Sequence, residues 1–322
     1  MSLDNKQRII GFDIARVFSV LIIVLYHSLG YGSSLYSILS IRAVVYASLA
    51  TFTFQSGFLL AVRKDLQSCS FIDFIKKRLL RIWPLFFLAS MLLCLMGFNS
   101  WARTAKAWFG LSSFWRPAPR TMWYVGLLIF LYVITLFWAR GGIKRQIGKF
   151  LITMGIIAGV QLVFHSVDPR TFFYAPVYFL GIIVGQYYYG KLSAFATTPK
   201  NILLMLTVFV GMLIVQYVTG YNQLLYVNAF IGMVALMSLY LYLGEKWKNN
   251  RRLVAGVSWF SYATFCIYLF HREVYEGLLM LWTPTHQYQM IPYLGILGLA
   301  IVIPLAYYIQ KGYDSIIKKL NL

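Results

Sequence analysis

The feature that most constrains this chain is a succession of long apolar runs. Ten of them, at 12–30, 41–62, 82–98, 121–139, 150–165, 174–190, 201–219, 224–243, 257–275 and 291–310, approach the length a helix needs to cross a bilayer, about 20 residues. The weakest as spans are the short 150–165 and the tyrosine-rich 174–190. A backbone crossing hydrocarbon must satisfy its own polar groups, and apolar runs of this length do so as helices. The chain therefore reads as all-α: a polytopic membrane helical bundle of about ten transmembrane helices. With 60% hydrophobic and 12% charged residues and a mean hydropathy of +0.69, it carries about half the charge of a soluble domain. Those values exclude a Rossmann enzyme, a secreted disulfide scaffold, a disordered regulator and a soluble nucleic-acid binder.

The charge balance, 29 Lys+Arg against 9 Asp+Glu, is decided by position. A nucleic-acid binder gathers its cations in one patch. Here they sit in short clusters between the apolar runs, and no nucleic-acid partner is expected. With residue 1 inside and ten spans, 21 basic residues fall on inner segments and seven on outer ones, while Arg16 lies within the first span. The inner set includes Lys6 and Arg8. That bias predicts that both termini are cytoplasmic.

No charge-rich linker or internal repeat divides the chain, so residues 1–322 read as one transmembrane domain. The first run is not expected to be a removable signal peptide, because it is longer than an h-region and carries Asp13, Arg16 and His27. Cys69, Cys94 and Cys266 form no C-x-x-C. The four histidines are scattered, with no H-x-x-x-H, so no metal site is expected.

An ionisable residue at membrane depth costs at least ~2.5–3.5 kcal/mol and is a functional candidate by default. The first span, GFDIARVFSVLIIVLYHS, holds three such residues. From Arg16 to His27 is eleven residues, three helical turns, which returns to within about 20° of the same face. Asp13 stands one turn before Arg16, and His27 lies about 16 Å beyond it. Asp13 and Arg16 equally suit an i,i+3 pair at the helix entrance, with Arg16 snorkelling to the surface. His27 equally suits a packed ring bonded to another helix, and the aligned stripe favours function.

A second cluster, FIKKRLLRIWPLFF, puts Arg78 and Arg81 on one helical face after Lys76 and Lys77. Paired guanidinium groups suit phosphate oxygens. They equally suit anionic membrane lipid, or the enforcement of topology, which are commoner uses of such clusters. In the outer segment 99–121, Trp101, Trp108 and Trp115 recur every seven residues among four cations. That pattern fits an amphipathic helix at the interface better than a sugar-stacking surface. His271, with Arg272, Glu273 and Glu276, falls near the outer end of the ninth run, as an acceptor-side site or as an ordinary ion cluster. His165 and His286 lie in outer loops, where solvation is expected.

Taken in order, these elements resemble the acyltransferase-3 family of integral-membrane acyltransferases. The resemblance rests on Asp13-x-x-Arg16-x10-His27, on FTFQSGFLL with Ser56-Gly57-Phe58, and on Arg78-x-x-Arg81-Ile82-x-Pro84. Weaker matches follow at Met122-Trp123-Tyr124 and at Ser261-Tyr262 through Tyr268-Leu269-x-His271, so the set covers residues 11–275. Larger members add a C-terminal soluble SGNH domain, which is not expected here, since only twelve residues follow the last run.

The resemblance implies an enzyme of the bacterial inner membrane that takes an acyl group, usually acetyl, from cytoplasmic acyl-CoA. The implied acceptor is a hydroxyl of a cell-envelope polysaccharide, such as a lipopolysaccharide O-antigen, or of a lipid-linked glycan. It implies His27 as general base or acyl carrier, Arg16 and Asp13 beside it, and Arg78, Arg81 and Arg16 as binders of acetyl-CoA. Ser56, Trp123, Tyr124, His271 and Glu273 become candidate substrate-binding residues. A secondary transporter or glycan flippase is the competing class, because intramembrane Asp, Arg and His also suit a translocation path.

Overall fold

The structure is a computed structural model that describes residues 9–320, leaving aside the side chains at 64, 65, 192, 193, 287 and 288. Lys6 and Arg8, counted above for orientation, lie outside the described residues. Helices make up nearly all of the described chain, which contains no strand. They are α1 (Ile10–Leu29), α2 (Leu39–Ala61), α3 (Phe71–Leu95), α4 (Trp101–Trp108), α5 (Trp123–Ala139), α6 (Ile143–Phe164) and α7 (Thr171–Ile183). There follow α8 (Tyr189–Ala196), α9 (Pro199–Thr219), α10 (Leu224–Trp247), α11 (Arg251–Leu281), the short α12 (Gln287–Met290) and α13 (Gly298–Lys319). A π-helical segment, Val184–Tyr188, joins α7 to α8, and another, Ile291–Leu297, leads into α13.

Eight helical stretches among the described residues are long and apolar enough to cross a membrane: α1, α2, α3, α6, α9, α10, α11 and Ile291–Lys319. The 17-residue α5 is apolar but shorter. The protein is thus the polytopic helical bundle that its hydropathy predicts. The run at 150–165 belongs to the 22-residue α6, which starts earlier because Lys144, Arg145 and Lys149 continue the helix beyond the apolar stretch. Likewise α3 begins at Phe71, ahead of the apolar run at 82–98, so Arg78 and Arg81 share a helix as their spacing predicts. The run at 174–190 passes through α7 into a π-helical segment. The tryptophan-rich segment is not one continuous helix, since α4 ends at Trp108 and a left-handed Gly110 (φ +71°) turns the chain.

The chain packs as two compact units, one built from Met1–Phe52 with Tyr189–Asn321 and the other from Thr53–Tyr188. In the first, α1 packs against both α10 and α11, and α11 against α13. The crossing of α1 with α10 is close because Gly11 and Gly244 meet there. A Cβ on Gly11 would stand 2.8 Å from the Leu241 Cα and 2.9 Å from the Tyr240 carbonyl. Small residues at such crossings let backbones approach where lipid supplies no hydrophobic drive.

Two contacts show that α1 and α11 run in the same direction. Asp13 near the start of α1 meets Ser261 on α11, and His27 near the end of α1 meets His271. Helices that cross a bilayer in the same sense have an odd number of crossings between them. Of the helices between, α2, α3, α6, α9 and α10 are long enough to cross. With those five crossing, the remaining apolar segments, α5 and α7 with its π-helical extension, cross together or not at all.

In the second unit, α2 and α7 cross at glycines as well. A Cβ on Gly57 would collide with the Tyr178 carbonyl, and one on Gly181 with the Phe54 carbonyl. Phe58 and Tyr178 are fully buried at this crossing, and Tyr178 Oη shares a 2.6 Å hydrogen bond with Thr135 on α5. The end of α5 is closed by side chains: the Ala139 carbonyl accepts from Gln67, Gln146 and Gln186 at 3.0, 2.8 and 3.0 Å. These carboxamides supply the donors that the last turn of a helix lacks.

Candidate functional site

In the first unit, the stripe along α1 has partners on α11 at both ends. Asp13 is 3% exposed, and burying a carboxylate is costly unless it is paired and hydrogen-bonded. Ser261 Oγ donates to Asp13 Oδ1 at 2.7 Å, and Arg16 Nη1 lies 3.7 Å from the same oxygen. The expected Asp13–Arg16 pair is therefore present, and it is anchored to α11. Arg16 stays half-buried, with a third of its side chain open.

At the other end, His27 Nδ1 lies 2.8 Å from His271 Nε2, with the two rings edge to edge and nearly coplanar, 8° between planes and 5.0 Å between centroids. His271 is fully buried, whereas His27 is half-buried. His271 Nδ1 is 2.7 Å from the Tyr268 carbonyl, one turn back on α11. Around the pair Arg272 and Tyr275 are buried and Tyr31, Glu273 and Glu276 half-buried, in place of the exposed ion cluster that the helix end also allowed. Arg272 is 7% exposed, and its guanidinium lies 5.0 Å from the centre of the Tyr31 ring. Tyr31 Oη donates to Glu276 Oε1 at 2.7 Å, and Tyr275 Oη to the Val24 carbonyl at 3.0 Å.

Tyr31 lies in the turn after α1. Its hydroxyl pKa is raised: burial disfavours the phenolate, Arg272 opposes that, and the bond to Glu276 adds to it. Tyr31 was not singled out from sequence. The only signal was its place one helical turn after His27. Glu273, two residues beyond His271, keeps both carboxylate oxygens buried with no hydrogen-bond partner among the described residues.

In the second unit, Arg63, Cys69, Asp73, Phe74, Lys77 and Arg78 line one pocket. The Arg78 guanidinium stands 5.7 Å from the centre of the Phe74 ring, and its buried Nε has no hydrogen-bond partner among the described residues. An unsatisfied buried guanidinium nitrogen beside two further cations is chemistry suited to an anion. Arg81 does not line this pocket and is exposed. Arg63, which sequence spacing did not connect with Arg78, takes the place beside it. It lies in the loop after α2, so only the fold brings it there.

The other candidate residues of this unit sit in packed settings. Ser56 is half-buried in α2 beside the Gly57 crossing. Tyr124 Oη shares a 3.0 Å hydrogen bond with Thr53. Trp123 is half-buried, with the Arg170 guanidinium 3.7 Å from its ring centre, and Arg170 in turn grips both Asp168 oxygens at 2.8 and 2.5 Å. Asp168 is held below the usual carboxylate range: its burial pushes the other way, but the hydrogen bonds and charge of Arg170 outweigh it. Trp108 donates to Ser90 at 2.6 Å, and Lys106 covers Trp115 at 4.4 Å. His165 and His286 are exposed.

No curated protein and no solved structure matches this chain. The family model described as an acyltransferase domain, that of the acyltransferase-3 family, matches residues 9–311. That match takes in the α1 stripe, the Arg78 pocket and the histidine pair on α11. The chain belongs to the acyltransferase-3 family and is a multi-pass membrane acyltransferase.

Proposed function

We propose that the protein moves an acetyl or other short acyl group from cytoplasmic acyl-CoA to a hydroxyl of a cell-envelope polysaccharide or lipid-linked glycan. In this reading it sits in the bacterial inner membrane with both termini cytoplasmic, as the excess of inner cations favours. The observation that carries the proposal is the half-buried His27 ring, hydrogen-bonded to a buried partner in a chain of an acyltransferase family.

His27 accepts the proton of the acceptor hydroxyl as that oxygen attacks the thioester carbonyl. The C–S bond then breaks, and the imidazolium returns the proton to the departing CoA sulfur. Arg78, Lys77 and Arg63 hold the donor's phosphates. The unpartnered Arg78 Nε supports that assignment, and Arg81 adds charge at the entrance. Arg16, held by Asp13, lies on the donor side of His27 and guides the acyl arm or meets its phosphates. On the acceptor side, Glu273 has oxygens left to accept from sugar hydroxyls. Ser56, Trp123 and Tyr124 are further acceptor-side candidates.

Membranes carrying the protein, given radiolabelled acetyl-CoA, should label glycan and release free CoA thiol. A transporter or flippase does neither, and that result would overturn the proposal.

A further inference from the structure

The hydrogen bonds of the histidine pair determine which nitrogen of His27 is free to act. A carbonyl oxygen only accepts, so the 2.7 Å contact from His271 Nδ1 to the Tyr268 carbonyl places a proton on His271 Nδ1. A neutral ring carries only one N–H, which leaves His271 Nε2 as an acceptor. The 2.8 Å contact between His271 Nε2 and His27 Nδ1 is then a hydrogen bond donated by His27. Consequently His27 carries its proton on Nδ1 and presents a bare lone pair at Nε2.

We propose that His271 is a positioning residue that locks His27 in its Nδ1–H tautomer, so that Nε2 is the nitrogen that accepts the hydroxyl proton. This rests on the reading of His27 as the base. The chain of contacts is Tyr268 carbonyl, His271, His27 and then the hydroxyl. It orients a ring much as a carboxylate does in a Ser-His-Asp triad, with a neutral imidazole in the carboxylate's place.

The pieces of the relay differ in burial in the sense the role requires. The Tyr268 carbonyl belongs to the backbone of the 31-residue α11, and His271 is fully buried. Tyr275 and His271 lie nearly perpendicular with centroids 5.7 Å apart, while His27 lies edge to edge with His271, nearly coplanar, with centroids 5.0 Å apart. His271 is thereby fixed and His27 is held by it. In the step itself His27 Nε2 takes the hydroxyl proton as the O–C bond forms. The C–S bond then breaks, its electron pair leaves with sulfur, and that sulfur receives the proton from Nε2. His27 Nδ1–H and its bond to His271 Nε2 stay intact throughout, and the positive charge on His27 is transient. His271 never meets the substrate.

The test is the tautomer itself, read by nitrogen NMR of the full-length protein with 15N-labelled histidine in lipid nanodiscs. The four histidines are assigned by comparison with His27→Ala. The expected spectrum has His27 Nδ1 protonated and Nε2 bare, and His271 likewise protonated on Nδ1. In His271→Ala, His27 should shift toward the Nε2–H form that free imidazole prefers. Acetyl transfer should then fall by roughly 10²-fold in kcat, short of the ~10⁴-fold lost where a triad's orienting carboxylate is replaced, with KM for acetyl-CoA unchanged. His271→Gln places an amide oxygen where Nε2 stood and should restore both the tautomer and most of kcat, even if the alanine variant folds poorly. A wild-type His27 protonated on Nε2, or a tautomer that His271→Gln and His271→Ala leave equally unchanged, overturns the proposal. Unimpaired transfer by His27→Ala would instead remove the base itself, a failure that the NMR result distinguishes from loss of the relay.

Discussion

Ser261 Oγ donates a 2.7 Å hydrogen bond to Asp13 Oδ1, so the first and eleventh helices are joined through a carboxylate that is 3% exposed. Hydrogen bonds to charged groups contribute about 1.5–3 kcal/mol, and a buried acceptor left unsatisfied costs about as much. Ser261→Ala should therefore lower thermal stability in detergent by roughly 1–3 kcal/mol. Asp13→Ala should cost more than Asp13→Asn, which keeps an acceptor for Ser261. Equal losses in the two Asp13 variants would show that the hydroxyl bond contributes little.

His27→Ala should reduce acyl transfer by at least about 10²-fold, the low end of what a general base supplies. The protein should still insert and fold, with a stability loss of about 1–3 kcal/mol because the buried His271 Nε2 loses its donor. Near-normal transfer would remove His27 from the chemistry.

Arg78→Ala should raise KM for acyl-CoA by about 10- to 100-fold, as expected for losing one or two charge-assisted hydrogen bonds. Arg63→Ala should behave in the same way but more weakly. Exposed Arg81 lies outside the pocket, so Arg81→Ala should have the smallest effect of the three. If these variants lower membrane abundance and leave KM alone, the cluster serves topology.

Gly181→Val should destabilise the protein by about 1–3 kcal/mol or more, because a side chain there meets the Phe54 backbone carbonyl, which cannot move as a side chain would. Gly190→Ala, where a Cβ meets nothing within 4 Å, is the matched control and should be nearly neutral. Thermal melts of the purified proteins compare them directly.

Asp168 provides a pH-dependent term. Its pKa is lower folded than unfolded, so the unfolded chain binds more protons in acid and stability falls as pH drops. The contribution is complete above the unfolded value of about 3.9 and is lost as pH falls through the lower folded value. Asp168→Asn should flatten that part of the acid limb, measured as melting temperature against pH. An unchanged acid limb would mean that the Arg170 pair gives no net stabilisation.

The membrane-spanning class was legible in hydropathy alone, because bilayer thickness sets helix length and any apolar run of that length has one stable way to cross. The Asp13–Arg16 pair was legible too, since i,i+3 spacing is local geometry. Helix boundaries were less so. Lys144, Arg145 and Lys149 are polar enough to end an apolar run yet sit comfortably in a helix, so hydropathy misses the first turns of α6.

What the order of residues decided by itself was the material of the site: a helical stripe with Asp13, Arg16 and His27 on one face, because 3.6 residues per turn brings i and i+11 nearly into line. What only tertiary structure decided was which groups those residues face. His271 follows His27 by 244 positions, and Arg63 lies in the loop after α2 while Arg78 lies within α3. No periodicity relates such residues. Their meeting depends on helix direction, on glycine crossings such as Gly11 with Gly244, and on the rotation of each helix about its axis. These are set by the packing of the whole unit, and a single chain read in order does not contain them in local form.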